Sequence, residues 1–177
     1  MAKVQSLPWD DNAEKSVLGC ALFDSRTIDE IARKVRDEMF FSEANREIWK
    51  SVFEMHNKNK KIDSVTLAHD LSERGSLEKI GGVEVILKVM EIVPSASHWD
   101  YYSDIVQGHW KRREGMSVAH RMLEAMADVT VSATEAVSKS ENLLTEMIEA
   151  TEGGADCEDI GQIRLDVFDQ LGKEREQ

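Results

Sequence analysis

Leu7-Pro8-Trp9-Asp10-Asp11-Asn12-Ala13-Glu14-Lys15-Ser16-Val17-Leu18-Gly19 is the stretch that decides the fold. It reads as a capped helix start: Asp11 or Asn12 supplies the cap, and Asp11 and Glu14 stand at capping-box spacing. Behind the cap runs an apolar stripe of Ala13, Val17 and Cys20 or Ala21. Gly19 lies inside this helix, where a partner helix can pack closely. Only two prolines, Pro8 and Pro94, interrupt the chain. Both fall outside the periodic segments, which favours helices throughout.

Working outward, a second helix is expected after Ser25 or Thr27, with Ile28, Ile31, Ala32 and Val35 on one face. Ser42 caps a third, in which Ile48, Val52 and Met55 recur at i, i+4, i+7. Asp63 or Ser64 starts the fourth, and Gly75 is placed as its left-handed C-terminal residue. Gly81-Gly82 turns the chain into a fifth helix around Val83 to Glu91. Trp99 to Ile105 adds a sixth. The expected fold class is all-α: a small globular helical bundle, then an antiparallel helical hairpin and a linker helix.

Beyond Val106 helical residues run on without a breaker to about Asp128, where Val129-Thr130-Val131-Ser132 interrupts them. A second long helix from Thr134, a fair cap, to Ala150 completes the hairpin. Met116, Leu123, Met126, Val137, Leu144, Met147 and Ile148 recur at helical spacing on these two helices. They find no obvious partner within the chain beyond each other, and exposed amphipathic hairpins pair with further copies. Glu152-Gly153-Gly154-Ala155-Asp156 reads as a linker, and a helix from about Asp159 carries Ile160, Ile163, Val167, Phe168 and Leu171 as a docking face. The expected domains are therefore residues 1-106 for the globule, 107-151 for the hairpin, and 152-177 for the linker and its helix.

Charge constrains the partners. Twenty-two basic residues against 34 acidic ones give −12, and Thr134 to Gln177 holds four basic against twelve acidic. Phosphate backbones repel such a piece, so no direct nucleic-acid contact is expected. Lys58, Lys60 and Lys61, and Lys111-Arg112-Arg113, are read as solvated helix ends. Trp9, Trp49, Trp99 and Trp110 are read as core or interface anchors rather than base-stacking platforms. Cys20 and Cys157 are too few and too far apart for a zinc site. Neither a signal peptide nor a run of ~20 apolar residues is present, so a cytoplasmic protein without a membrane span is expected.

The opening run resembles the start of the N-terminal domain of DnaB-type replicative helicases, in which Leu-Pro is followed by an Ala-Glu pair and Val-Leu-Gly. The same order continues in Met39-Phe40-Phe41 with Asn45-Arg46-Glu47-Ile48-Trp49, in Ile62-Asp63-Ser64-Val65-Thr66-Leu67, and in Leu71 through Gly75 with Leu77 and Gly81-Gly82. Pro94-Ser95-Ala96, Tyr102, Ile105-Val106 and Arg112-Arg113 close it, so the resemblance covers residues 7 to 113. Asn45-Arg46 replaces a frequent His-Arg, Trp49 a usual Phe, and Cys20 a small residue. The resemblance implies a collar domain of a hexameric helicase that self-associates as a dimer, or as a trimer of dimers. It also implies docking of primase or a helicase loader, and a linker helix that packs on a helicase motor domain.

No chemistry of its own is expected of the chain, and no catalytic, cofactor or metal residue is assigned. Its Gly172-Lys173 does not make a phosphate loop, because Val167 stands at the first glycine position and Glu174 at the metal-binding hydroxyl. A His-Asp metal phosphohydrolase would have to use His69-Asp70 with His56 and Asp100 or Asp104, but Leu67 and Leu71 rather than His69 hold the buried face of that helix. His98, His109 and His120 fall 11 residues apart, about three turns, too far to share a metal. The other reading from the resemblance is a stand-alone phage or mobile-element regulator that mimics this domain and captures a helicase or its loader.

Overall fold

A computed structural model describes residues 6–152. The linker beyond Glu152 and the docking face of Ile160, Ile163, Val167, Phe168 and Leu171 lie outside these residues. The described chain forms seven α-helices: α1 (Asp11–Phe23), α2 (Ile28–Lys34), α3 (Glu43–Asn57), α4 (Ser64–Glu73), α5 (Val83–Glu91), α6 (Trp99–Ala127) and α7 (Ala133–Glu152). Single 3₁₀ turns precede α2 and α3, and there is no strand among the described residues. The packing divides after Arg113 into two compact units. The 106/107 division drawn from the sequence falls inside α6, which runs unbroken past it.

The first unit is organised around α1, which packs on α5, α3 and α2. With neighbours on several sides, α1 buries Ala13, Val17, Leu18, Cys20 and Ala21 together with Glu14 and Ser16. Ile28, Ile31, Val35, Phe40, Ile48, Trp49, Val52, Leu67, Leu71, Ile86 and Val89 are among the residues that join them in the core. Its first turn differs from the sequence reading. Asp10, not Asp11 or Asn12, is the cap, accepting from the Ala13 amide at 3.0 Å, while Asp11 pairs with Lys15 at 2.6 Å.

Glu14 has a different task. Only 2% exposed, its carboxylate accepts from the Phe41 amide at 2.6 Å, the Ser42 amide at 3.2 Å and Asn45 Nδ2 at 2.8 Å. These donors sit at the entry to α3, where amides lack helical partners and the helix dipole favours an anion. Ser42 caps the same helix by accepting from the Asn45 amide. Arg113 fastens the other side, donating to the carbonyls of Pro8 at 3.0 Å and Met39 at 2.6 Å. Its guanidinium lies 5.3 Å from the Phe41 ring centre, and that ring in turn lies 5.1 Å from Trp9.

The remaining helix boundaries follow the sequence closely. Asp63 and Thr66 form a reciprocal capping box, and Gly75 takes φ +67° after α4, a conformation that costs a glycine little. Trp49 and Trp110 are core residues; Trp49 stacks on Phe53, and Arg36 covers Trp110. Asp70 is buried and accepts from Ser51 at 2.7 Å and Arg74 at 2.6 Å. Burial pushes its carboxyl up, and these bonds overcome that and hold it below its ordinary value. Arg74 also forks onto Glu54 at 2.9 and 3.0 Å.

Two outcomes test this packing. A Cβ at Gly19 would lie 2.8 Å from the Val89 carbonyl oxygen and 3.0 Å from methyls of Ile92 and Val93. Alanine ordinarily favours a helix over glycine by about 1 kcal/mol. Gly19→Ala nonetheless lowers stability here, by about 1–3 kcal/mol as overpacking does, in urea unfolding followed by circular dichroism. The second outcome concerns pH. Hydrogen bonds from Arg74, then Lys58, hold the Glu54 carboxyl down from 4.5 to about 2. Its contribution is therefore present above the unfolded value and lost as pH falls from 4.5 towards 2. Half-exposed Glu54 contributes no more than about 1 kcal/mol, so the Arg74→Gln penalty, measured by thermal unfolding, shrinks across that window.

Candidate functional site

The second unit is the hairpin of α6 beyond Arg113 and α7. Asp128 ends the first arm, accepting from Thr130 N at 3.0 Å. The cap of α7 is Ser132 rather than Thr134: Ser132 Oγ accepts from the Glu135 amide, and the Glu135 carboxylate accepts from the Ser132 amide at 3.0 Å and hydroxyl at 2.9 Å. This is a capping box. The Glu135 carboxyl is held below its ordinary value first by the backbone bond and then by the hydroxyl.

Along the seam of the hairpin Val118 and Ala125 of α6 are buried, as are Ala136, Ser140 and Leu143 of α7. Ser140 meets its hydrogen-bonding need within its own helix, donating to the Ala136 carbonyl at 2.9 Å. Near the base, where Gly115 has no side chain, the nearest atom across the seam is Met147 Sδ. Met147 thus lies towards the seam, whereas Met116, Leu123, Met126, Val137 and Leu144 are exposed, Leu123 by 69% and Leu144 by 41%. Ile148 is half-buried.

The exposed residues share one side of the hairpin. At about 100° per residue, Met116, Leu123 and Met126 lie roughly 80–160° around α6 from the seam residue Val118. Val137, Leu144 and Ile148 lie roughly 80–120° around α7 from the centre of its seam, in the same rotational sense. Two antiparallel helices with stripes displaced in the same sense expose both stripes on one face. The opposite face is charged: Arg121, Glu124, Asp128 and Lys139 line one cleft over Ala125 and Leu143. His120 Nε2 lies 3.3 Å from Glu124 Oε1. One face of the hairpin is apolar and the other is polar.

His69 faces Glu73 at 3.5 Å and His56 faces Asp29 at 3.1 Å, while Asp70 turns inward to Ser51 and Arg74. The His-Asp dipeptide therefore directs its two side chains to different partners. Among the described residues no group of three His, Cys, Asp or Glu could hold a metal. Cys20 is buried, and burial pushes its thiol up to about 11, which leaves little thiolate at neutral pH. Lys58 pairs with Glu54, Lys60 with Asp70 and Lys61 with Asp63. No helix among the described residues is long and apolar enough to cross a membrane.

Sequence and fold comparisons agree with one another. The family described as "DnaB-like helicase N terminal domain" matches residues 6–108. A probable replicative DNA helicase of Trieres chinensis is 31% identical over 129 residues, which span 73% of this chain and 28% of that protein. The replicative DNA helicase DnaB of Buchnera aphidicola subsp. Baizongia pistaciae (strain Bp) is 31% identical over 126 residues, 71% of this chain and 27% of that protein. The chain thus spans about a quarter of the length of these relatives. Among solved structures, the N-terminal domain of DnaB helicase from Mycobacterium tuberculosis superposes with a TM-score of 0.75 at 24% identity, covering 80% of this chain and 99% of that one. A DnaB-like replicative helicase, solved in a study of its interactions with primase, gives a TM-score of 0.65 at 18% identity over 92% of this chain and 35% of that one. At these identities the two structures establish a shared fold.

Proposed function

This chain belongs to the DnaB-like helicase N-terminal domain family, and from that membership we propose that it works by binding rather than by chemistry. It serves as the N-terminal collar of a hexameric replicative DNA helicase. Copies join through the hairpin, as a dimer or a trimer of dimers, and the collar offers a docking surface to primase or to a helicase loader during DNA replication. Ile160, Ile163, Val167, Phe168 and Leu171, which lie outside the described residues, supply a docking face for a helicase motor domain.

The observation that carries this reading is the one-sided apolar face of the hairpin. Among the described residues no third element covers Leu123, Met126, Val137 and Leu144, which are exposed, and contiguous exposed apolar surface marks an interaction site. Covering each such side chain removes apolar area from water at about 25 cal/mol per Å². A self-complementary patch on identical subunits closes with two-fold symmetry. The acidic hairpin also suits a basic partner surface, which favours orientation and rate of docking.

Leu123→Asp and Leu144→Asp, combined, test the reading, because both residues are exposed and neither holds the seam. The expected outcome in sedimentation velocity at tens of micromolar is a parent chain that self-associates and a variant that is monomeric with unchanged helical circular dichroism. A parent chain that remains monomeric at high micromolar concentration contradicts self-association through this face.

A further inference from the structure

The apolar stripe of α7 contains one charge. Val137, Glu141, Leu144 and Ile148 occupy i, i+4, i+7 and i+11, the positions of a single helix face. Glu141 is exposed there, flanked along the stripe by Val137 and Leu144. The same hairpin, residues 114–152, carries eight acidic residues against two basic ones, a net charge of −6. Its two basic residues, Arg121 and Lys139, both line the cleft on the opposite face with Glu124 and Asp128.

We infer that Glu141 is the residue that sets partner preference on this face: it keeps pairing between identical hairpins weak and favours an apolar helix that brings a cation to its level. The inference rests on the self-association proposed above. A second copy of the hairpin laid on this face contributes apolar side chains and another Glu141, while its Arg121 and Lys139 face away. Each carboxylate is then partly desolvated without a counter-charge, which costs far more than desolvating a paired one. A single polar residue in an otherwise apolar helical seam selects partner and register at the expense of stability, and an unmatched charge is the usual means of rejecting an unwanted partner. A lysine or arginine at the facing position removes the penalty and adds a charge-assisted bond.

Full-length chains with Glu141→Gln and Glu141→Lys test this by sedimentation equilibrium at ~50 and ~500 mM salt, the Lys variant serving as the cation-bearing probe. Removing the charge is expected to tighten self-association about tenfold and to reduce its strengthening by salt, since screening then has less repulsion to relieve. An equimolar mixture of the parent and the Glu141→Lys chain is expected to associate more tightly than either alone. Equal or weaker association of the Gln variant, with the parent still associating and the Leu123→Asp, Leu144→Asp chain monomeric, overturns the inference, because the second copy then meets the carboxylate with a cation. If parent, Gln variant and mixture are all monomeric, the self-association reading fails, and this inference with it. Circular dichroism confirms that each variant is folded.

Discussion

A helix in an antiparallel pair has one neighbour, and one neighbour can cover only one stripe. That constraint governs the hairpin. Val118 and Ala125 on α6, with Ala136, Ser140 and Leu143 on α7, use up the seam. These are small or medium side chains, which let the two helices approach. The larger Leu123, Met126, Val137 and Leu144 remain outside. In the first unit α1 meets three other helices, and it accordingly buries Val17, Leu18, Gly19, Cys20 and Ala21 around most of its circumference. Among the described residues, then, the first unit encloses a core from several helices, with Phe23, Val65 and Leu87 among those left exposed, and the hairpin keeps a whole apolar face in solvent.

Polar groups in the first unit serve architecture. A buried carboxylate such as Glu14 would be costly alone, but three donors at the start of α3 complete its hydrogen bonds. Arg113 then binds carbonyls from both the segment before α1 and the turn before α3. Asp70, Arg74 and Glu54 repeat the arrangement between α3 and α4. Asp70 lines a cleft with Lys60, His69 and Glu73, and there its carboxylate meets Ser51, Arg74 and Lys60.

Much of this was legible in the residues themselves. Ser42, Asp63 and Gly81-Gly82 announce their helix boundaries because capping and turn chemistry are local, requiring only side chains within a few positions. The misread starts have local and distant causes. Glu14 looked like the partner of Asp11 in a capping box, yet it is drawn away by amides 27 to 31 residues on, and Asp10 takes the cap. At α7 both Ser132 and Thr134 have cap chemistry; the Glu135 carboxylate, three residues after Ser132, decides for Ser132. The division at 106 followed a change in pattern, and both it and the packing division after Arg113 fall within the continuous α6. On the hairpin, spacing identified Met116, Leu123, Met126, Val137 and Leu144 as one group. Spacing alone could not separate Met147, which meets the Gly115 gap in the seam, or single out Glu141, whose significance depends on Arg121 and Lys139 lying on the other side.

In the proposed assembly a second copy covers the face bearing Leu123 and Leu144 and leaves the face bearing Arg121 and Lys139 open. NMR of side-chain methyl and methylene protons with a soluble paramagnetic probe reads this directly. With rising protein concentration the Leu123 and Leu144 methyls should lose their relaxation by the probe, while groups on Arg121 and Lys139 keep theirs. Relaxation of the two leucines that is independent of concentration, or protection appearing instead at Arg121 and Lys139, would show that no second copy covers this face.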